Sequence, residues 1–349
     1  MTNLVFLTHS YPYLPGDTFI RNELGYLCQA FERVDVIPVG NAAANIPAKA
    51  RPDLPLPSNA NLRLDLFEST RRFTRQVNRP AGLAAVFGDP RFRALICHEL
   101  PLAARFGPRA ILRMLTAAQQ GYFIWRVLAQ MRAAYSQPLI LYSYWMHHAA
   151  FGAAMLERPE TLRVSRAHGF DLYAERRNPP YLPFHAETIS RLDWVCPISE
   201  DGVNTLAALY PQLTQRLQLF RLGVEDGRMG SKPSPDPVLR VVSCSKLRPV
   251  KRVGLIADAL ALCSFPVHWT HFGRENRPTA VDQKAAALPA HVQVDLKGYV
   301  DNPTLLQYYR ENPVDLFLNV SSSEGLPVTL MEAASYGIPI AATSVGGVN

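Results

Sequence analysis

Eleven short runs rich in Val, Ile and Leu, most of them ending in a polar residue or glycine and separated by helix-length chain, constrain this sequence more than any other feature. Strands covered on both faces lose the in-out alternation of a half-exposed sheet, so runs of this kind read as buried parallel strands. In the first part of the chain they are LVFLTH (4–9), RVDVIPV (33–39), PLILYSY (138–144), LRVSRAH (162–168), DWVCPIS (193–199) and LQLFRLG (217–223). They resume as LRVVSCS (239–245), VHWTHFG (267–273), VQVDLKG (292–298), VDLFLNV (314–320) and IPIAAT (338–343). Between the two series, GRMGSKPSPDP (227–237) holds three prolines and two glycines, a composition that builds neither helix nor strand. The expectation is an α/β chain of two doubly wound, Rossmann-like parallel sheets facing a cleft. Residues 1–226 form the first domain, 227–238 the linker and 239–349 the second domain. A length of 349 residues, 48% of them apolar, supports two cores.

Open α/β sheets bind ligands beyond the carboxyl ends of their strands. Here those ends carry His9-Ser10, Tyr144-Trp145, His168-Gly169, Ser199, Gly223-Val224, Lys246, Gly273-Arg274, Gly298, the serines before Glu324, and Gly346-Gly347. The plainer reading is that strand ends are always loop-like.

One stretch is sharper. In EGLPVTLMEA (324–333) two carboxylates stand eight positions apart in an apolar segment. Pro327 suits the first turn of a helix, which would run to about Tyr336 and stop at Gly337. The free amides of Gly325, Leu326, Val328 and Thr329 would then form a phosphate seat aided by the helix dipole. Glu332 would lie roughly 7 Å up the helix, where the ribose of a seated nucleotide falls, and Glu324 at the opposite end of the diphosphate. Otherwise Glu324 caps the helix and Glu332 is solvated. The basic segment SKLRPVKR (245–252) supplies Lys246, Arg248, Lys251 and Arg252 just past a strand. With no D-x-D in the chain to hold a metal, these cations would neutralise a leaving diphosphate, so neither a metal nor another cofactor is expected.

These residues resemble the family 4 retaining glycosyltransferases of GT-B fold. SSSEGLPVTLMEAASYGIPIAATSVGG matches their E-x7-E motif and glycine pair, and SKLRPVKR matches the segment with their basic pair. FLTHSYPYLPGDTFIRNEL, YSYW, RAHGFDLY and RLGVE are similar to the bacterial polysaccharide-assembly branch. The resemblance implies sugar transfer, with retention, from a nucleotide diphosphate sugar to a glycan or lipid-linked glycan acceptor. It assigns Glu324 to the donor sugar, Glu332 to the ribose, and Lys246 and Lys251 to the diphosphate. Lys246 departs from the family's usual arginine and loses its bidentate fork. Gly16 would approach the donor phosphates or the acceptor, Gly273 the donor base, and His168 the reacting sugar, with Asp171 as its one candidate partner. Against family members the chain ends early, so a truncated second domain is expected. An epimerase on the same architecture, or a non-catalytic nucleotide-sugar binder, is the alternative.

The charge is +7 and residues 61–135 hold twelve arginines against four acids. Arg71, Arg72, Arg75 and Arg79 beside Phe67, Phe73 and Val77 suit helices resting on an anionic bilayer, or equally a solvated basic insert. No aromatic-basic module for nucleic acid is found. The five cysteines lie at least 19 residues apart, without a CxxC, and the first strand has no basic leader. Location in the cytoplasm, with peripheral contact to the inner membrane face, is the expectation.

Overall fold

The computed structural model describes all residues except 1–2, 14–19, 41–54, 64–76, 78, 133–134, 136–137, 158, 229, 274–277 and 349. The chain divides into two compact units, Met1–Arg221 and Leu222–Asn349.

The first unit is built on a six-stranded sheet of order β3-β2-β1-β4-β5-β6, parallel throughout. Its strands are β1 (Asn3–Thr8), β2 (Arg33–Pro38), β3 (Ala60–Leu62), β4 (Leu139–Ser143), β5 (Thr161–Ala167) and β6 (Trp194–Pro197). Leu4 to Thr8 are buried without alternation, as expected for a central strand with helices on both faces. The helices are α1 (Ile20–Ala30), α2 (Pro80–Gly88), α3 (Pro90–Arg105), α4 (Pro108–Arg132), α5 (His148–Ala154), α6 (His185–Arg191) and α7 (Glu200–Leu209). Prolines open α2, α3 and α4, where a missing N–H costs nothing. The apolar stretch of α4 packs on α5 through Phe123, Ile124 and Phe151 rather than crossing a bilayer. Among the described residues no helix is long and apolar enough to span a membrane.

Two strand expectations need correction. LQLFRLG forms no strand of the sheet: Leu217 makes one isolated parallel bridge to Val195, and Gln218 and Phe220 donate to Val195 and Pro197 along the edge of β6. Its carboxylate-free apolar pattern looks like a strand because it covers that edge. Conversely β3, three residues long, is too short to show periodicity.

The second unit holds a parallel sheet of order β11-β10-β7-β8-β9. Its strands are β7 (Leu239–Cys244), β8 (Val267–Phe272), β9 (Val292–Leu296), β10 (Leu316–Asn319) and β11 (Ile340–Ala342), and its helices α8 (Gly254–Leu260), α9 (Ala280–Ala286), α10 (Asn302–Glu311) and α11 (Val328–Ser335). Successive residues of β7 serve opposite cores: Val241 meets Val253, Ile256 and Leu260 beside α8, while Val242 meets Leu305 and Tyr309 of α10 and Leu330 of α11. Residues of the Pro/Gly-rich stretch are fastened to this unit. Ser231 donates to the carbonyls of Tyr336 and Val314, and the Ser234 amide to Asp315 at 2.9 Å.

Candidate functional site

In the second unit, β7 to β9 run outward in one direction, and the chain then returns so that β10 pairs with β7 on its other side. The strand order reverses between β7 and β10, the place where a doubly wound sheet opens a crevice at its carboxyl edge. The two loops leaving that point are the basic segment after β7 and the serine-rich segment after β10.

The loops are stitched together. Ser322 N–H donates to Val250 O at 2.8 Å, and Arg252 donates through Nε to Val320 O at 2.7 Å and through Nη2 to Ser321 O at 3.1 Å. Arg252 therefore fixes the loop rather than offering itself to a phosphate. Lys251, on the short 3-10 turn Pro249–Lys251, reaches Glu324 with Nζ 2.7 Å from Oε1 and 2.9 Å from Oε2. Asn319 Nδ2 adds a bond to Oε1 at 3.2 Å. Glu324 is only 7% exposed. Burial alone would raise its pKa, but the hydrogen bonds from Lys251, Ser321 and Asn319 and the lysine's charge outweigh it and hold the carboxyl below its ordinary value. It stays ionised at neutral pH.

Helix α11 begins at Val328 with Pro327 as the residue before its first turn, so Glu324 does not cap it. It ends in a Schellman arrangement, with Ile338 N–H on Ala333 O at 3.1 Å and Gly337 N–H on Ala334 O at 2.9 Å. Among the described residues nothing accepts from the amides of Gly325, Leu326, Val328 or Thr329, all half-buried. Glu332, 7% exposed, is not a solvated position: its Oε1 accepts from Asn302 Nδ2 at 2.6 Å. Burial raises its pKa and Asn302 only partly offsets the rise. Neither Asn302 nor Asn319 is marked in the sequence, because the former starts a helix 30 residues upstream of Glu332 and nothing in either pattern pairs them.

Two glycines set how closely these loops approach. Gly273, after β8, has φ +102°, and a Cβ there would lie 2.4 Å from Ser245 O and 3.3 Å from Lys246 N. It thus brings the loops after β7 and β8 into backbone contact beside Lys246, whose side chain is exposed, as is that of Arg248. Gly346 has φ +54°, and a Cβ there would lie 2.1 Å from Glu324 O. The loop past β11 thereby presses on the backbone of the buried acid.

His168 lies in the first unit, past β5, and is 7% exposed. Asp171 is beside it: Oδ1 accepts the His168 N–H at 2.7 Å, Oδ2 accepts Met146 N–H at 2.8 Å, and the His168 ring Nδ1 stands 3.7 Å from Oδ2. The imidazole is wedged against Tyr144 and Trp145, with ring centroids 4.9 and 4.1 Å apart. Gly16 lies outside the described residues, as do Arg71, Arg72, Arg75, Phe67 and Phe73. Among the described residues no three histidines, cysteines or acids are grouped to hold a metal ion.

Residues 229–349 match the family model described as glycosyl transferases group 1. No curated protein matches the chain. Among solved structures, the lipopolysaccharide outer core galactosyltransferase WaaB in its apo form has a TM-score of 0.62 at 16% identity, over 99% of this chain and 81% of that one. HepE from Anabaena, in complex with UDP and glucose, gives 0.59 at 16% identity over 99% and 82%. A trehalose-6-phosphate structure from E. coli, bound with UDP-2-fluoro glucose, gives 0.60 at 12% identity over 99% and 85%. Identities this low speak to fold, and the family match to the second unit. The chain has the two-unit parallel α/β fold of the GT-B glycosyltransferases, and its second unit is similar to the glycosyl transferases group 1 family over residues 229–349.

Proposed function

We propose that the protein is a retaining glycosyltransferase that moves a sugar from a nucleotide diphosphate sugar to a glycan or lipid-linked glycan in polysaccharide assembly. The observation that carries this reading is the pair of buried carboxylates, Glu324 and Glu332, set on either side of the open amides that begin α11 at the reversal point of the sheet. The amides of Gly325, Leu326 and Val328 would hold the diphosphate. Glu332, its second oxygen uncommitted to Asn302, would accept from ribose hydroxyls. Glu324 would face the donor sugar, kept ionised by Lys251, while Lys246 and Lys251, with Arg248 exposed beside them, bring the positive charge that a leaving diphosphate needs without a metal. Gly273 would border the base, Gly16 the phosphates or acceptor, and His168 the transferred sugar. In such a reaction the departing phosphate deprotonates the acceptor on the same face, so positioning and charge stabilisation supply the acceleration.

HepE and the E. coli protein were solved with uridine nucleotides, which makes UDP the first donor base to try. The test is thermal stabilisation of the full chain by UDP, GDP and ADP, with and without their sugars, followed by the anomeric configuration of any product. Stabilisation by one nucleoside diphosphate and transfer with retention are expected. Absence of stabilisation by all three would reject the reading.

For the acceptor side we propose peripheral docking on an anionic membrane, in the cytoplasm. Its support among the described residues is on α3, α4 and the turn between them, where Leu100, Leu102, Phe106 and Leu112 are exposed beside exposed Arg93, Arg105 and Arg109.

A further inference from the structure

The loops leaving β1, β4 and β5 in the first unit carry His9, His147-His148 and Asp171, and with Arg113 of α4 and Arg177 they line a cavity of about 280 Å³. That volume is close to the roughly 300 Å³ at which small-molecule pockets begin, enough for one phosphorylated sugar.

The polar groups of this cavity are incompletely matched. His147 caps α5 by accepting the Ala149 N–H on Nδ1 at 3.2 Å, so the neutral ring carries its hydrogen on Nε2. That Nε2 and the Nε2 of His148, whose ring stacks on His147 at 4.1 Å, are buried with no partner among the described residues. Burial pushes both imidazoles down, His148 to about 4, aided by the charge of neighbouring histidines, so both are uncharged at neutral pH. A buried N–H donor left open is costly unless a ligand takes it.

The charges are unequal as well. Arg113 is anchored by the carbonyls of Asn178, Pro179 and Tyr181, its nitrogens 2.8, 2.9 and 3.3 Å away. Arg177 donates through Nε to Phe170 O at 2.8 Å, with its guanidinium 5.0 Å from the Phe170 ring centroid. Burial lowers the Arg177 pKa first, and the nearby Arg113 charge lowers it further. The one carboxylate lining the cavity, Asp171, is already engaged by the amides of Met146 and His168. Two guanidinium groups thus share a half-buried wall with a single committed anion, which favours an incoming negative charge.

We propose that this cavity binds the phosphate of a phosphorylated acceptor, with Arg177 and the charge of Arg113 on the anion and His147 Nε2–H donating to it or to an adjoining hydroxyl. The role as acceptor site rests on the transferase reading; the anion site itself does not. Two sources share the chemistry, a free sugar phosphate and a lipid-linked sugar diphosphate.

The test uses the full chain with ¹⁵N-labelled histidine, the His147 ring signal being assigned through His147→Gln. It is titrated with inorganic phosphate, glucose 6-phosphate, glucose and a short-chain prenyl diphosphate. All three phosphate-bearing probes should move the His147 signal and glucose should not. Arg177→Gln should weaken phosphate binding at least tenfold, and Arg177→Lys should recover part of the loss. Tighter glucose 6-phosphate binding assigns the free source, and tighter prenyl diphosphate binding the lipid source. An unmoved His147 signal, or a loss below twofold in Arg177→Gln, overturns the proposal. Stabilisation by UDP, GDP and ADP is measured on the same samples: phosphate binding without stabilisation by any of the three removes the transferase reading alone, and stabilisation by one of them without phosphate binding removes the cavity alone.

Discussion

Lys251 and Glu324 are joined across two loops, Nζ lying 2.7 and 2.9 Å from the two carboxylate oxygens, and this pair ties the end of β7 to the end of β10. With Glu324 nearly inaccessible, removing the cation strands a buried negative charge. Lys251→Ala is expected to cost about 2 kcal/mol in denaturant unfolding, less than a fully buried pair because the lysine is partly solvated. The pair has a pH signature. Because the Glu324 pKa is depressed on folding, its contribution is present above about 4.5 and is lost as pH falls through the folded value. Lys251→Ala and wild type should therefore converge in stability once the pH has fallen below the depressed Glu324 value. A constant gap down to pH 3 would show that the pair adds no ionic stability.

Glu332 behaves oppositely. Its pKa is raised by burial, so its ionisation costs stability as pH rises through the folded value. Glu332→Gln keeps an acceptor for Asn302 and deletes the buried charge. It should leave stability at pH 7 unchanged or up to about 1 kcal/mol higher, while nucleoside diphosphate affinity, read by calorimetry, falls about tenfold for the loss of a charged acceptor. Glu324→Ala, in contrast, should spare free nucleoside diphosphate and slow transfer. Undiminished UDP affinity in Glu332→Gln would remove the ribose role.

How much of this was legible in the sequence varies with the range of the interaction. The strand runs and the helix that starts at about Pro327 and stops before Gly337 could be read because burial pattern and turn chemistry are local properties. The E-x7-E spacing could be read for the same reason. Asn302, Asn319 and Arg252 could not, since their significance comes only from the sheet order that sets β10 beside β7. LQLFRLG misled because an apolar segment covering an edge has the composition of a strand without its ladder. His168 was singled out, but the neighbouring histidine pair was not, because its unpaired nitrogens are a property of packing.

Gly346 offers a test of how the site is compressed. A Cβ would meet Glu324 O at 2.1 Å, and φ +54° disfavours any side chain there. Backbone cannot yield as a flexible side chain would, so Gly346→Ala should destabilise the second unit by about 2 kcal/mol and displace Glu324. Thermal unfolding checks the first effect, and reduced transfer with retained UDP binding checks the second. A wild-type melting temperature would mean that the loop past β11 is free to retreat.

The exposed leucines of α3 and α4 make the membrane reading testable. Leu102→Glu with Leu112→Glu should leave unfolding unchanged, both being exposed, and reduce sedimentation with phosphatidylglycerol vesicles at least fivefold. Equal sedimentation of variant and wild type would locate any membrane contact elsewhere.

Acid sensitivity should be concentrated in the first unit. His185 is pushed down to about 4, by burial first, against the pull of the Asp171 carboxylate, and His147 and His148 move in the same direction. In the second unit His271 is pushed down to about 4, by burial first. Unfolded imidazoles take up protons near pH 6.5 whereas His148 and His185 resist until about 4, so their contribution is whole above 6.5 and drains away as pH falls between those values, with His147 acting in the same direction. His148 and His185 are each worth on the order of 3 kcal/mol at full ionisation. Hydrogen exchange at pH 7 and pH 5 should therefore show protection lost first from β1, β4 and β5, and His185→Gln should flatten the pH dependence of unfolding over that range. Earlier loss from β7 and β10 would place the acid-labile groups in the wrong unit.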